Sequence, residues 1–471
     1  MSNYSKLYFT IKKYGGVFKN IVPRQTRMAL KDRLVQKNIA EFLSTKKPYD
    51  SKAWPAGVNL IGSIRAEMGL GQSCRLVARQ LQMSGYPFSI CNIGFDDNLR
   101  EEDHSWDDYI SVEVPPLSRA TLDDRSQNNQ RPSSLEAERA ADGTNASRPN
   151  GSSALPYGIN LFHVNLCEMG NMFSANSSFW DGHYNIAFWL WELEDFPKEW
   201  VKYCSLFDEI WTPSAFAGRG MQKALETLSA ARLGGAAEVP VRTVPYRPTA
   251  PFDDSCTREM FGLPEHKFLA LIMYDSNSTT GRKNPQGAIT AYRKAFPQED
   301  KDCGLVIKIN NAKDEDVRRL KKELDGYRNV YFITEVLEKE KVNSLIRCCD
   351  VYLSLHRSEG FGLVIAEAML LGTPVIATNY SSNVEFMSEE ASCLVDYQLI
   401  KNPHTEGAYK KGCLWADPDL DQAAEYIRRL KNDRAYYETK VINGAAYLDQ
   451  ALNEEKLNVL WRERIDAVTE K

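Results

Sequence analysis

The sequence predicts an α/β protein of two tandem domains, each a parallel sheet with helices on both faces. Three observations carry this. The chain has 471 residues, more than one ordinary hydrophobic core accommodates. Short apolar runs alternate with helical patterns, most cleanly in the second half. Between them, Pro245, Pro248 and Pro251 fall within seven residues and mark a connection between the halves.

Taken in order, Val58 to Gly62 reads as a buried strand that runs through a loop with Gly69 and Gly71 into a helix, Cys74 to Met83. Phe88 to Ile93 is the next strand, completing a β–Gly-loop–α–β unit. Residues 118–154 are rich in Ser, Asn, Arg and Asp and poor in large apolar residues, which predicts a mobile insertion. Strands follow at Gly158 to Val164, Asn185 to Trp189, Glu209 to Thr212 and Val241 to Val244, with helices starting at Pro197 and Pro213. In the second half, strands at Phe268–Met273, Leu305–Ile309, Val330–Ile333, Val351–Leu355 and Pro374–Ala377 alternate with helices at Pro285–Phe296, Glu315–Leu324, Glu338–Arg347 and Leu363–Leu371. The tail, Asp419 to Leu430 and Arg434 to Leu460, is helical by composition and period. The domain limits are therefore a basic extension 1–50, a first domain 51–245, a second domain 246–435 and terminal helices 436–471. Two such domains place a cleft between them, and ligands of open α/β sheets bind beyond the carboxyl ends of the strands.

Composition narrows the function. With 43% hydrophobic and 26% charged residues and a net charge of -5, the chain has no nucleic-acid signature. No apolar run is long enough to cross a bilayer, and no signal-peptide pattern opens the chain. The ten cysteines include no C-x-x-C pair, so no zinc or redox motif is indicated and a cytoplasmic protein with reduced thiols is expected. Residues 1–47 hold eleven Lys/Arg against two acids, Asp32 and Glu41, with apolar residues interleaved. That segment suits either an anionic membrane surface, on the inner face of the cell membrane, or a basic extension packed on its own protein.

The chemistry concentrates in SEGFGLVIAEAMLLGTPVIAT, Ser358 to Thr378. Glu359 follows a strand and so stands at its carboxyl end, facing the cleft. Gly360 and Gly362 allow close backbone approach and free amides for an oxygen-rich ligand. The helix starting near Leu363 favours an anion at its N-terminus. Glu367 lies close enough to reach the same ligand, and a carboxylate is a good acceptor for vicinal hydroxyls. An anion site between two hydroxyl acceptors suits a sugar nucleotide.

This stretch closely resembles the Glu-x7-Glu signature of family-4 retaining glycosyltransferases of the GT-B fold, and related features recur over residues 57–415. The resemblance implies two Rossmann-like domains facing a central cleft, with the C-terminal helices crossing back to the first domain. It implies that Glu367 binds the nucleotide ribose, that Glu359 contacts donor-sugar hydroxyls, and that the amides of Phe361, Gly362 and Leu363 hold sugar and diphosphate. Asp275-Ser276 and Arg282-Lys283-Asn284-Pro285 occupy the place where the family carries basic residues against the donor diphosphate. An Arg fork and a Lys point charge suit phosphate and stabilise the leaving diphosphate, so no metal or other cofactor is called for. The commoner family pattern has an Arg five or six positions before the Lys, which leaves open whether Arg282 or Lys283 does more. Arg65 to Gln72 resembles the family's N-terminal glycine loop, in which Gly69 and Gly71 approach the diphosphate or the acceptor. A dinucleotide fingerprint would want a third glycine where Cys74 stands. His163, in Phe-His-Val-Asn, is read either as a donor-hydroxyl partner near the reaction centre or as a structural histidine. Phe188 to Glu194 resembles the W-E-x-E stretch of bacterial polysaccharide members, with the Trp residues in the core and Glu192 or Glu194 facing the acceptor.

The function so implied is transfer of a sugar, with retention, from a nucleoside-diphosphate sugar to a hydroxyl of a glycan or lipid-linked oligosaccharide in bacterial surface polysaccharide biosynthesis. The rivals are a GT-B sugar-nucleotide epimerase and a catalytically inactive scaffold that binds nucleotide sugar or glycan. Base, sugar, linkage and oligomeric state are not written in the sequence.

Overall fold

The computed structural model describes residues 3–14, 23–94, 100–114, 155–230, 239–298 and 300–470. The insertion expected at 118–154 lies outside them, as do residues 1–2 and 15–22 of the basic extension.

The first domain is a seven-stranded, all-parallel sheet. Its strands are β1 (Val58–Gly62), β2 (Phe88–Ile93), β3 (Ile110–Val114), β4 (Ile159–His163), β5 (Tyr184–Phe188), β6 (Glu209–Thr212) and β7 (Val241–Thr243), in the spatial order β3-β2-β1-β4-β5-β6-β7. Strands β1, β4, β5 and β6 are buried along their whole length, as central strands of a parallel sheet covered on both faces are. Within them, Asn59, Asn160 and Asn185 form a hydrogen-bonded row, Asn59 Nδ2 donating to Asn160 Oδ1 at 2.8 Å and Asn160 Nδ2 to Asn185 Oδ1 at 3.0 Å, so these buried amides are satisfied.

The second domain repeats the plan with β8 (Phe268–Asp275), β9 (Cys303–Asn310), β10 (Val330–Ile333), β11 (Val351–Ser354), β12 (Val375–Thr378) and β13 (Cys393–Val395), parallel and ordered β10-β9-β8-β11-β12-β13. In both sheets the order reverses beside the first strand, between β1 and β4 and between β8 and β11. These are the topological switch points where ligands of such sheets bind. An antiparallel hairpin, β14 (Tyr397–Lys401) with β15 (Leu414–Pro418), is added after β13.

Two sequence readings change. The segment starting at Pro197 is a 3-10 helix, Lys198–Leu206, because Val201, Cys204 and Phe207 are buried at a three-residue repeat, the period of that helix. The single tail helix expected over Arg434 to Leu460 is two helices, Arg434–Ala451 and Glu454–Thr469, divided where the Asn453 side chain accepts from the Lys456 amide at 3.1 Å and caps the second. The first of them packs on the helix Leu363–Leu370 of the second domain. The second packs on Gly69–Ser84 of the first domain, where Trp461 is fully buried, lies 5.5 Å from the Trp211 ring and donates to the Pro245 carbonyl at 2.7 Å.

The described part of the basic segment forms helices Asn3–Tyr14 and Arg24–Thr45. Tyr8, Val35 and Ile39 join a core with Met169, Met172 and Phe173, and the Tyr8 hydroxyl donates to Asn171 Oδ1 at 2.8 Å. No helix among the described residues is long and apolar enough to cross a membrane.

Candidate active site

The loop after β11 carries Glu359 to the switch point of the second sheet. Its fold follows from buried polar contacts: the Glu359 amide donates to Ser381 Oγ at 2.8 Å, and Ser382 Oγ donates to the Glu359 carbonyl at 2.8 Å. Gly362 then turns the chain with φ 94 and ψ 47, a left-handed conformation that favours glycine, and starts the helix Leu363–Leu370 with no side-chain cap. The amides of Phe361, Gly362 and Leu363 donate to no acceptor among the described residues, so they form an open N-terminal nest at the cleft.

Arg282 and Lys283 reach the same point from β8, on a single helical turn, Thr280–Lys283, that ends at Asn284 in the left-handed region. Lys283 Nζ lies 2.5 Å from Glu359 Oε1, and Arg282 Nη1 lies 3.3 Å from Oε2. Arg282 is buried and fixed by donating to the Ser358 carbonyl at 2.8 Å. Burial alone would raise the Glu359 carboxyl, but Lys283 and Arg282 outweigh it and hold the group down to about 2. Arg282 and Lys283 thus both engage Glu359. Ser276, at the end of β8, has a buried hydroxyl with no hydrogen-bond partner.

Glu367 sits on the second turn of its helix, fully buried. Neither of its oxygens accepts an aligned hydrogen bond, yet Lys339 Nζ stands 2.6 Å from Oε1 as an ion pair. Burial raises the Glu367 carboxyl against the opposing pull of Lys339. Lys339 opens the helix Lys339–Cys348 after β10. No local pattern in the sequence signals it, because the fold alone brings it to Glu367.

The first domain forms the facing wall. Gly71 is held in the first turn of Gly69–Ser84 by close approach: a Cβ there would stand 2.0 Å from the Ala66 carbonyl oxygen. A Cβ at Gly69 meets nothing within 4 Å, and Met68 gives this helix no side-chain cap. His163, at the end of β4, is buried with Nε2 2.8 Å from Ser73 Oγ, while its Nδ1 has no partner. Burial lowers its pKa to about 4, so the ring is neutral near pH 7. Ser73 also donates to the Tyr246 hydroxyl at 3.0 Å, and the Tyr246 ring lies 4.8 Å from Phe361. His163 is therefore linked to the glycine loop of the second domain through Ser73 and Tyr246, two residues that no sequence motif marks.

Glu192 and Glu194 separate in space. The Glu192 carboxylate accepts from the Tyr409 hydroxyl at 2.9 Å and lies 3.7 Å from Arg282 Nη2, so it joins the cation cluster. Its carbonyl accepts from Ser358 Oγ across the domain boundary. Glu194 is exposed and makes no hydrogen bond or ion pair among the described residues. Gly360 faces the first domain as well, its carbonyl accepting from Ser214 Oγ at 3.1 Å. Beside it, the Glu385 carboxylate accepts from the amides of Ala215 and Phe216 at 3.0 and 2.8 Å, capping the helix Ala215–Ala230 from the other domain.

Among the described residues no group of three or more His, Cys, Asp or Glu is placed to hold a metal ion. The arrangement can bind an anion at the Gly362 nest and the Arg282–Lys283 pair, and hydroxyls at Glu359 and Glu367.

Comparison with known proteins agrees with the two-domain fold. Residues 270–447 match the family model of glycosyl transferases group 1. The O-antigen biosynthesis glycosyltransferase WclY of Escherichia coli is 35% identical over 100 residues, which is 21% of this chain and 26% of the relative, so the chain spans about a quarter of it. Among solved structures, HepE of Anabaena in complex with UDP and glucose is similar at a TM-score of 0.56 with 14% identity, over 88% of this chain and 100% of that one. Sucrose-phosphate synthase of Thermosynechococcus elongatus is similar at 0.54 with 16% identity, over 87% of this chain and 100% of that one. The chain thus has a two-domain GT-B fold, and residues 270–447 are similar to the group 1 glycosyl transferases.

Proposed function

We propose that this protein transfers a hexose from a nucleoside-diphosphate sugar to a hydroxyl of a glycan or lipid-linked oligosaccharide in polysaccharide biosynthesis, with retention of the anomeric configuration. The observation that carries the reading is the meeting of Glu359, Arg282 and Lys283 beside the uncapped helix headed by Gly362, at the switch point of the second sheet. Here Lys283 and Arg282 take the diphosphate, with the amides of Phe361, Gly362 and Leu363 and the Ser276 hydroxyl, and stabilise charge on the leaving group. Glu359, released from part of its pairing, accepts from hydroxyls of the sugar. Glu367 accepts from the ribose.

Nδ1 of the neutral His163 ring accepts from a hydroxyl of the donor, while Gly69 and Gly71 bring the first domain against it. The leaving diphosphate takes the acceptor proton on the same face, so no side-chain nucleophile and no metal enter the scheme. Glu192 acts on this site by holding Arg282, and the exposed Glu194 is the acceptor-side candidate. UDP is the first nucleotide to try, since HepE, of the same fold, is seen with UDP. The exposed cations of the N-terminal helices, Lys6, Arg33 and Lys37 among them, are proposed to face an anionic membrane where a lipid-linked acceptor resides.

The test is transfer of radiolabelled sugar from UDP-, GDP-, dTDP- and ADP-sugars into the glycan and lipid fractions of a bacterial membrane extract, with the product anomer read by NMR. One donor is expected to label the extract with its configuration kept. Inverted product would remove the retaining mechanism, and no labelling with any donor would remove the transferase reading.

A further inference from the structure

The least usual electrostatic feature of the cleft is a fully buried carboxylate, Glu367, whose two oxygens receive no aligned hydrogen bond. An isolated buried carboxylate is costly, and ordinarily it takes up a proton. One cation stands against it: Lys339 Nζ, 2.6 Å from Oε1, on a side chain that is itself partly open to solvent. The remaining groups that sense Glu367 are not cations. Tyr246 and Tyr352 are buried phenols, both raised above their usual range, first by burial and with Glu367 among the lesser causes. Glu67, on the loop after β1 in the facing domain, is raised by burial and by Asp103 and Glu102, and drawn down by Arg75 and, least, by Lys339.

We propose that Lys339 is a positioning residue of the nucleotide site: its ammonium compensates the buried Glu367 carboxylate and leaves both carboxylate oxygens as acceptors for the vicinal diol of a ribose. The inference rests on the proposed nucleotide-sugar reading and deepens it. An ionised carboxylate accepts two hydroxyl hydrogens at once, whereas a protonated one has a single carbonyl oxygen to offer cleanly and a proton that must itself be placed. The site therefore selects a ribonucleotide over its 2'-deoxy counterpart, since the deoxy form leaves one buried oxygen unpaired.

The consequence is a pH signature. Lys339 draws the Glu367 carboxyl down against burial, so nucleotide affinity is expected to vary little with pH while Lys339 is present. Without Lys339, burial keeps Glu367 protonated to higher pH, so affinity is low in mild acid and recovers as the pH rises.

The experiment is calorimetric titration of the full chain with UDP, GDP and ADP and the matching 2'-deoxynucleotides between pH 6 and 9, for the unmodified protein, Lys339→Met, Lys339→Arg and Glu367→Gln. The unmodified protein is expected to bind one ribonucleotide about tenfold or more tighter than its deoxy form, with a flat pH profile. Lys339→Met is expected to lose about tenfold in affinity near pH 6 and to regain it toward pH 9, Lys339→Arg to restore the flat profile, and Glu367→Gln to lose the ribose preference at every pH. Unchanged affinity and a flat profile in Lys339→Met would overturn the inference while leaving the nucleotide site intact. A uniform loss without pH dependence, not rescued by Lys339→Arg, would mean a structural role and would overturn it too. No binding of any nucleotide by the unmodified chain would overturn the nucleotide reading itself, and this inference with it.

Discussion

Lys283 Nζ lies 2.5 Å from Glu359 Oε1, so the two residues join the loop after β8 to the loop after β11. Arg282 holds the other carboxylate oxygen at 3.3 Å. The one acid offsets only one of the two positive charges at the switch point of the sheet. A diphosphate brought against the cations competes with Glu359 for them, and that competition couples phosphate binding to the freedom of Glu359 to meet sugar hydroxyls.

Lys283 is partly exposed, so its loss is felt in chemistry more than in stability. Lys283→Met is expected to lower turnover by about a hundredfold, the effect of removing one group that stabilises developing charge. Steady-state kinetics with the best donor, beside a melting curve within a few degrees of the parent, is the check. A variant with full turnover would take Lys283 out of the reaction.

Glu359 and Glu367 are expected to separate kinetically. Glu367→Ala weakens nucleotide binding by about tenfold, since it removes a hydroxyl acceptor with charge. Glu359→Ala acts mostly on transfer, and it also costs about 3 kcal/mol of stability because Arg282 is left buried beside only the more distant Glu192. Binding titrations and denaturant melts of both variants decide this. Equal turnover in both variants and parent would remove the site assignment.

The acid side of the stability curve carries the Glu359 pair. The folded carboxyl is held at about 2, below its ordinary 4.5, so the pair contributes fully above about pH 4.5 and its contribution is lost as the pH falls toward 2. The melting-temperature gap between parent and Glu359→Gln should therefore be widest at neutral pH and shrink below pH 4.5. A gap that stays constant to pH 3 would contradict the ion pair. His163 adds a second acid-side loss for a different reason: burial lowers it to about 4, so below pH 6.5 the unfolded chain binds a proton that the folded chain refuses. His163→Gln should flatten that part of the curve.

The N-terminal helices supply a membrane test that leaves the core intact. Removing residues 1–47 would uncover Met169, Met172 and Phe173, against which Tyr8, Val35 and Ile39 pack. Charge reversal of the exposed Lys6, Arg33 and Lys37 to Glu is the cleaner change. Cosedimentation with anionic vesicles is expected to fall several-fold in the triple variant, as about 1 kcal/mol is associated with each basic residue near such a surface. Equal sedimentation of parent and variant would remove the membrane role.

What was legible in the sequence follows from what is local. The central strands β1, β4, β5, β8 and β9 are largely apolar runs between loops, interrupted by residues such as Asn59, Asn160, Asn185 and Lys308, and their length and composition suit burial on both faces. Strand β3 carries no apolar run to signal it, because at the sheet edge most of its residues alternate between half-buried and exposed. The β14–β15 hairpin has no local signal, because most of Tyr397–Lys401 faces solvent and its fold depends on a partner strand farther along the chain. The tail break at Leu452-Asn453 has no Pro or Gly to announce it, only the Asn453 cap. At the site, the spacing of Glu359, Gly360, Gly362 and Glu367 is visible because one strand–loop–helix turn carries all four. Lys339, Tyr246, Ser73 and Tyr409 come from other elements, and only tertiary packing brings them in.

The central claim is that the cleft is a nucleotide site served by protein cations alone, and thermal shift of the full chain with UDP, GDP, dTDP and ADP in the presence of a metal chelator tests it most directly. The account predicts stabilisation by one nucleoside diphosphate, about 2.7 kcal/mol at a hundred times its dissociation constant, that is lost in Lys283→Met. No shift with any of the four, or a shift that Lys283→Met leaves untouched, would contradict it.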